Sequence, residues 1–433
     1  MKELYGIASY ALECLKREGA DEAQCVVSAV ETREFNADGG QFSLFRTLFD
    51  HSLSLTAFKD GRRGRLAVNK LDEEAIARAA KECLAVAQAG QSDPAWEMNR
   101  EAGEQTYAHG AYQPDLDAFF ARTRELLADI TEKYPRIIVE KMITSHAKVD
   151  RVYLNTHGVC HREQSGHYDV DLSYAAHEGE ATSSLFGGGV RTDKLDVTFL
   201  SLGTLEQDLE DTQNQIYTTP VEGKFTGTVL LPPGMLMQLL NMALNNFAGD
   251  TTVLDGTSLW KDKLDTRVAD SSITLRMAPL DSRVVGGQRF TGEGFTAGDY
   301  TVLEEGVLKN FLISAYVANK TGNRRAPNSA GYNYVMEAGD TPLADIISGI
   351  ENGLLVGRFS GGEPGANGDF SGVAKNSFLI RDGKVAGAVS ETMINGNLAD
   401  VLMHLRAISR EVAMDGVSVL PWAAFDGVVI SGK

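Results

Sequence analysis

The chain has 433 residues, enough for about three domains of ordinary size. Its 59 acidic and 41 basic side chains give a formal net charge of −18, and a surface of that sign repels the phosphate backbone of nucleic acids. No stretch approaches the ~20 consecutive apolar residues of a membrane-spanning helix. The composition therefore indicates a globular protein, for which we expect neither nucleic acid nor a membrane as a direct partner.

The first 19 residues favour an amphipathic helix. Its apolar positions recur at spacings that place them on one face, namely Leu4, Ile7, Ala8, Ala11, Leu12 and Leu15. The segment lacks the uninterrupted apolar core of an export signal. The four cysteines have no CxxC spacing, which is typical of free thiols in a reducing compartment. We therefore expect a cytoplasmic protein.

Residues 1–95 are predicted to form an N-terminal α/β domain. After the first helix, the predicted elements are strands at 23–30 and 51–58, a turn at 59–64, and a helix at 72–90. Asp72 is the predicted N-cap of that helix, because its carboxylate can accept from the first free backbone N–H groups. Residues 91–113 are polar and aperiodic, which indicates a linker or domain boundary.

Residues 110–218 are predicted to form a middle α/β domain with β-hairpins. It opens with a strongly periodic helix, and strands separated by turn residues follow. The helix is expected at 114–135, and the strands at 136–144, 151–155, 159–164 and 167–175.

Residues 219–433 are predicted to form a mainly antiparallel, barrel- or sandwich-like β domain. Short strands and glycine-rich loops dominate, and the Asp382-Gly383 pair between two apolar runs indicates a two-residue hairpin. Helices are expected only at about 234–247 and 397–412. The fold class predicted for the whole chain is therefore α+β.

One cluster of side chains has the composition of a zinc site. It contains His157, Cys160, His161, His167 and His177. The spacing does not fit zinc, because neighbouring residues of a strand point to opposite faces and the last two histidines are ten residues apart. Surface and core histidines are the favoured interpretation.

The glycine-rich segments and the serines do not match a catalytic motif. Residues 292–298 miss the dinucleotide fingerprint by one position, and residues 360–372 lack the Lys-Ser/Thr of a phosphate-binding loop. Both are interpreted as loops that need positive φ or a close approach of the backbone. No GxSxG is present, and His404, expected on a helix surface, is the one histidine after His177.

The helix predicted at 234–247 has the shape of a catalytic site but not the residues for one. Asn241 and Asn245 are four apart, so they lie on one helical face, where metal ligands or an acid and a base would be placed. An asparagine amide is a poor zinc ligand and has no acid group that titrates near neutral pH.

The sequence resembles the TldD/PmbA family over essentially its whole length. The likeness rests on NGDFSGVAKNSFLIRDGKVAGAVSETMINGN (367–397), FTGEGFTAGDYTVLEEGVLKNFLISAYVANKTG (290–322), RVYLNTHGV (151–159) and DGRRGRLAVNKLDEEAI (60–76). Members form a two-subunit protease of the bacterial cytosol and are also known as modulators of DNA gyrase. The TldD-type subunit carries zinc on an HExxxH helix with a cysteine near the C-terminus, and the PmbA/TldE-type subunit lacks them.

This resemblance places the HExxxH segment on LNMALN (240–245). Leu240 then stands at the first histidine, Asn241 at the glutamate and Asn245 at the second histidine, and no cysteine follows Asp415. The resemblance therefore implies the PmbA/TldE type, with neither catalytic residues nor metal ligands, and zinc only in a TldD-like partner. Residues that contact a substrate are not identified by the sequence.

Three functions follow as hypotheses. The first is a non-catalytic subunit that assembles with a TldD-like protease subunit and processes unfolded or precursor peptides, inactive alone because its metal motif is degenerate. The second is a peptidase active on its own through an atypical site. The third is a stand-alone peptide-binding homodimer. A β-rich subunit can hold extended peptides by adding them to a sheet edge.

Overall fold

The computed structural model describes residues 1–390 and 392–432. Glu391, within the stretch 367–397 that carries the family resemblance, and Lys433 lie outside these ranges. The helices are α1 Lys2–Glu18, α2 Glu73–Ala89, α3 Leu116–Lys133, α4 Leu205–Gln213, α5 Pro233–Ala248, α6 Asp250–Leu254, α7 Ala315–Thr321, α8 Leu343–Ser348 and α9 Leu398–Met403, with a 3₁₀ turn at Phe199–Ser201.

The strands form two sheets. Those of the N-terminal sheet are β1 Glu22–Asp38, β2 Gln41–Lys59, β3 Arg62–Val68, β4 Gly103–Gly110, β5 Ile137–Asn155, β6 Val159–Glu178, β7 Ala181–Thr182 and β8 Phe186–Thr192. Those of the C-terminal sheet are β9 Thr219–Pro220, β10 Lys224–Leu231, β11 Leu275–Met277, β12 Tyr300–Glu304, β13 Val307–Leu308, β14 Tyr334–Met336, β15 Asn352–Leu355, β16 Arg358–Gly361, β17 Asp369–Lys375, β18 Ser377–Arg381, β19 Lys384–Ser390, β20 Thr392–Asn397, β21 Leu405–Met414 and β22 Val419–Ser431.

The N-terminal sheet has the order β3-β2-β1-β5-β6-β4, with β7 and β8 also paired to β6. The predicted turn after β2 is confirmed, because Asp60 and Gly61 both have positive φ and join β2 to β3 directly. Asp72 caps α2 as predicted, since its Oδ1 accepts from the Ala75 N–H at 2.9 Å.

The linker predicted at 91–113 is wrong in part. Residues 103–110 form β4, which pairs in parallel with β6. The sequence hid this strand because most of its side chains are exposed at the edge of the sheet, so its pattern lacks apolar alternation. Since β1 also pairs antiparallel with β5, residues on both sides of the predicted boundary share one sheet. The division at 95 and 110 stays a prediction.

The C-terminal sheet confirms the α+β class and the mainly antiparallel pairing. Its longest strand, β22, pairs with β10, β14, β20 and β21. Asp382 and Gly383, both at positive φ, form the predicted two-residue turn between β18 and β19. The core of this half collects apolar side chains of α5, β10, β12 and β22, among them Leu236, Leu240 and Phe425.

The helix predicted at 397–412 is confirmed for residues 398–403, and the rest of that prediction is wrong. It ends at Met403, and residues 405–414 form β21 against β22. The pairing register shifts between Leu405 and Ala407 and again between Ile408 and Val412. These bulges separate apolar residues of the strand by three and four positions, the spacing of a helix. The short helices α6, α7 and α8 were also missed, because five to seven residues give no clear period.

Within the two described ranges, every helix is too short or too polar to cross a bilayer.

Candidate functional site

The candidate site is built on α5, the helix predicted at 234–247. Pro233 occupies its first position, where a missing N–H costs nothing. Its buried stripe faces the C-terminal core and includes Leu236, Leu239, Ala243, Leu244 and Phe247. Gly249 follows the last turn. A Cβ at this position would lie only 2.9 Å from the Asn245 carbonyl oxygen, so a glycine lets the chain pass close to the end of the helix.

The three positions at which the resemblance places a metal motif have different environments. Leu240 is only 1% exposed and belongs to the apolar core. Asn241 is half-buried, and its Oδ1 accepts a hydrogen bond from the Tyr334 hydroxyl at 2.7 Å. Asn245 is exposed at the end of the helix and borders a cleft. The helix therefore brings Asn245 to the cleft, bonds Asn241 to a tyrosine that lines it, and turns Leu240 into the core.

The cleft at this end of α5 has a volume of about 390 Å³. Its walls come from three loops, 291–293, 312–315 and 325–331, together with Tyr300 and Tyr334. Its polar side chains include Asn245, Glu293, Arg325, Asn328 and Ser329. The volume lies within the range of small-ligand sites, about 300–1,000 Å³.

The two tyrosines of the cleft remain protonated donors at physiological pH. Burial raises the pKa of Tyr300 and of Tyr334, because the phenolate would be charged in an apolar environment. The Arg325 guanidinium lies 3.8 Å from the centre of the Phe295 ring, and burial lowers its pKa from a very high starting value. The cleft thus offers neutral donors and one cation beside the Glu293 carboxylate.

The glycine-rich segment 292–298 forms one wall of the cleft and is a loop, as predicted. The carbonyl oxygen of Gly294 accepts from Asn99 Nδ2 at 2.9 Å and contacts His161 Nε2 at 2.8 Å. At φ +83° a Cβ on Gly294 would lie 2.3 Å from the Tyr153 ring, so only glycine fits. The N-terminal sheet therefore holds this loop in place.

The second glycine-rich segment, 360–372, connects two strands. Its ends belong to β16 and β17, and residues 362–368 form the loop between them. Gly368 has φ +87°, and a Cβ there would lie 2.7 Å from the Phe247 ring. The interpretation as a loop with positive φ is confirmed for this central part.

The five residues with the composition of a zinc site do not converge. His161 is buried and stacks on Phe290 with ring centres 4.9 Å apart. His157 Nε2 lies 3.3 Å from the Glu22 carboxylate, and His167 Nε2 lies 3.1 Å from that of Asp169. Cys160 is buried, which raises its thiol pKa, and His177 lies near the far end of β6. In residues 1–390 and 392–432, no three His, Cys, Asp or Glu side chains are grouped to hold a metal ion.

The donor set on α5 does not fit zinc. Leu240 has no donor atom, Asn241 is already bonded to a protonated tyrosine, and Asn245 offers a neutral amide. Zinc prefers imidazole, thiolate and carboxylate ligands. The resemblance places a cysteine ligand between Asp415 and Lys433, but the sequence has no cysteine there, and residues 419–431 form β22. We therefore derive no chemical step through zinc in this chain. His404, expected on a helix, follows the last residue of α9 and is exposed.

Tyr334, Arg325 and Glu293 were not predicted from the sequence as residues of the site. They lie on two loops and a short strand, 48 to 93 positions along the chain from Asn245 or Asn241. Local patterns carry no signal for such contacts, although the family-like stretch 290–322 does contain Glu293.

Comparison with known proteins agrees with this architecture. Residues 223–432 match the family model of the PmbA/TldA metallopeptidase C-terminal domain. The metalloprotease PmbA homolog of Haemophilus influenzae is 23% identical over 95% of this chain and 92% of its own length. Residues 223–432 therefore form a C-terminal domain of the PmbA/TldD family, and the chain is similar to a PmbA-type protein over nearly its whole length.

Two further comparisons extend over most of the chain. The metalloprotease PmbA of Escherichia coli O157:H7 is 22% identical over 88% of this chain and 83% of its own length. The crystal structure of TldE from Thermococcus kodakarensis superposes with a TM-score of 0.84, at 20% identity, over 98% of this chain and 100% of that one. The whole chain therefore has the fold of this PmbA/TldD family member.

Proposed function

We propose that the chain is a non-catalytic, PmbA/TldE-like subunit of a metalloprotease complex that processes unfolded or precursor peptides. The observation that supports this most directly is the state of α5. At the three positions of the zinc motif it carries a core leucine, an amide bonded to Tyr334, and an exposed amide. The catalytic zinc would then belong to a TldD-like partner chain in the cytoplasm.

The cleft supports a role in holding peptide. Gly292 and Gly331 border it, and an ideal Cβ on either would meet no atom within 4 Å. Their exposed backbone gives an extended chain room to approach closely, as in recognition by main-chain hydrogen bonds. Such recognition depends little on sequence, which suits unfolded substrates.

The β1–β2 hairpin supports assembly with a second chain. Phe45 and Phe49 on β2 are 55% and 67% exposed, and their spacing places them on one face of the strand. Phe45 also contacts Phe35, Phe42 and Phe120 edge-on or tilted, so it extends an aromatic cluster to the surface. Exposed aromatic residues on a rigid strand are typical anchors of protein interfaces.

The decisive experiment is a cleavage assay on an unstructured peptide. It compares this chain, a TldD-type chain with an intact HExxxH, and their mixture. We expect cleavage by the mixture well above that of either chain, abolished by a chelator. Cleavage by this chain alone, resistant to chelator, would instead support a peptidase with an atypical site. Stoichiometric peptide binding without any cleavage by the mixture would support the homodimer.

A second experiment tests the surface through which the chains would meet. Phe49→Asp should weaken assembly by about tenfold or more, since it places a charge where an aromatic anchor is buried on binding. Val86→Asp, at an exposed position of α2, is the matched control and should leave assembly unchanged. Analytical ultracentrifugation of the mixture measures how strongly each variant assembles with the TldD-type chain. Equal effects of the two substitutions would exclude this hairpin as the contact surface.

A further inference from the structure

A second pair of cavities lies at the other end of α5, where the two halves of the chain meet. The first has a volume of about 310 Å³ and is lined by β8, α4 and the start of α5. The second, of about 440 Å³, lies between α4, α8 and the β18–β19 hairpin. They share six lining residues, namely Thr204, Asp208, Asp211, Pro232, Leu355 and Phe378. The two cavities therefore adjoin along α4.

The shared wall carries two carboxylates without a cationic partner. Asp208 and Asp211 are three apart on α4, so they are neighbours on its surface. Asp208 Oδ2 accepts from the Thr204 hydroxyl at 2.9 Å, and Asp211 Oδ1 accepts from Gln207 at 2.8 Å. In the part of the chain that the structure describes, no lysine or arginine forms an ion pair with either carboxylate. Each thus keeps one oxygen free to accept.

A buried amide in the wall of the first cavity also lacks a partner. Asn376 is 6% exposed and lines this cavity, and its Oδ1 has no hydrogen-bond donor among the described residues. Gln215, 4% exposed, lines the same cavity. Buried polar groups are nearly always paired, so such groups indicate a missing partner. The partner they fit is a hydrogen-bond donor with positive charge.

The first cavity also contains groups of positive potential. The start of α5 lines it, and the backbone N–H groups of Gly234 and Met235 have no capping side chain among the described residues. Arg358 lines the same cavity, and its guanidinium donates to the Leu185 carbonyl oxygen at 3.0 Å. The second cavity is mainly apolar, with Trp422, Phe378, Leu343, Ile347 and Val385 in its walls.

We propose that these two cavities form one site for a small molecule that carries a free α-ammonium group next to an apolar side chain. The ammonium group binds between Asp208 and Asp211, with the Asn376 and Gln215 oxygens within the same cavity. The apolar side chain occupies the second cavity, against Phe378 and Trp422. The carboxylate or carbonyl of the ligand faces the start of α5 and Arg358. Free apolar amino acids and the first residues of short peptides share this chemistry.

A strand without side chains keeps the polar cavity open. Residues 187–189 are three consecutive glycines on β8. A Cβ on Gly188 would lie 3.2 Å from Leu205 Cδ2 and 3.6 Å from Asp208 Oδ2. The glycines thus let the strand approach α4 while leaving the carboxylate accessible.

Isothermal titration calorimetry on the full chain tests this site without any protease assay, so its result is independent of the proposed function. The probes are L-leucine, leucyl-glycine and N-acetyl-leucine, the last of which lacks the ammonium charge. Binding of leucine alone or of leucyl-glycine alone identifies the source and supports the site. Binding of neither, or equal binding of N-acetyl-leucine, would overturn it.

Two matched variants locate the binding. Asp208→Asn keeps the shape of the side chain and removes its charge, so affinity should fall by about tenfold or more. Glu206→Gln, an exposed position on the same helix, should leave the affinity unchanged. Equal affinity of the wild type and Asp208→Asn, with both folded, would contradict the assignment.

The pH dependence supplies a second measurement that needs no variant. Burial raises the pKa of Asp208 to about 7 and that of Asp211 to about 6. The other ionisable groups around them are Glu210 on the same helix, Tyr174 on β6, Arg358, and Asp415, whose carboxylate is bonded to the backbone N–H groups of residues 417 and 418. Binding of an ammonium group should therefore strengthen as the pH rises through about 7. Constant affinity over that range would count against the two carboxylates as its partners.

Discussion

The two ends of α5 differ in how completely their polar groups are satisfied. At the C-terminal end, where the resemblance places a metal motif, Asn241 is bonded to Tyr334 and Asn245 is exposed to solvent. At the N-terminal end, which no motif marks, Asp208 and Asn376 keep acceptors without donors in the described residues. The C-terminal end therefore carries neutral amides. At the N-terminal end, the Asp208 carboxylate has no cationic partner among the described residues, and such an unpaired charge indicates a ligand.

The largest effect on stability is expected at Leu240. It tests whether α5 is part of the core at the position where the resemblance places the first histidine. Leu240→Ala should lower the free energy of unfolding by about 3 kcal/mol, because it leaves a cavity among well-packed apolar side chains. Leu240→His should be at least as destabilising, since it buries an imidazole. Denaturant unfolding measures both. A histidine variant of wild-type stability that takes up stoichiometric zinc would show that the site is only one substitution from function.

The next largest effect on stability is expected at the Asp208 carboxylate, beside the N-terminal end of α5. Because the pKa of Asp208 is raised in the folded protein, the folded state holds its proton over a pH range in which the unfolded chain has released it. Stability should therefore fall as the pH rises from about 4 to about 7. Asp208→Asn removes this loss and should stabilise the protein by about 2 kcal/mol above pH 7, allowing for partial access to water.

Thermal unfolding at several pH values measures this effect, with Glu206→Gln as the control at an exposed position of the same helix. If Asp208→Asn destabilises the chain at every pH, the carboxylate has a partner that the described residues do not reveal.

Removal of the Tyr334 hydroxyl, which donates to Asn241 on α5, should have a smaller effect on stability. Tyr334→Phe removes the donor to Asn241 and should cost about 1 kcal/mol of stability. In a double-mutant cycle with Asn241→Ala, the two losses should not add, because both break the same bond. Strict additivity would mean that this bond contributes nothing to stability.

Asn245 should show the smallest effect. Asn245→Ala removes an exposed amide, so stability should stay within about 0.5 kcal/mol of wild type. Peptide turnover by the mixture with a TldD-type chain should also stay nearly constant, because the cleft would hold peptide through backbone groups at Gly292 and Gly331 rather than through this amide. A hundredfold loss of turnover at unchanged stability would correspond to about 2.7 kcal/mol of transition-state stabilisation and would return this helix to the catalytic machinery.

Local signals in the sequence predicted the elements that depend on neighbouring residues. The helix predicted at 234–247 spans 233–248, because proline starts it and an apolar stripe continues through four turns. The Asp72 cap and the Asp382-Gly383 turn were likewise found, since each is decided by two or three adjacent residues. These features need no knowledge of the rest of the chain.

Long-range features escaped the same reasoning. Strand β4 has exposed side chains and exists because β6 provides its partners, and β21 imitates a helix through its bulges. The bond between Asn241 and Tyr334 joins residues 93 positions apart. The raised pKa of Asp208 arises from burial against β8 and α5, which the sequence of α4 does not show. The candidate ligand site could therefore not be predicted from the sequence without the fold.

Strand β22 has a consequence for how the protein reaches its fold. It pairs with β10, about 200 positions earlier, as well as with β14, β20 and β21. Closing loops of that length is costly before any native contact compensates, so such pairings form late and slowly. A fragment ending before Val419 would leave the edges of all four neighbours free to pair with other chains. We expect such fragments to aggregate, and refolding of the whole chain to depend strongly on protein concentration.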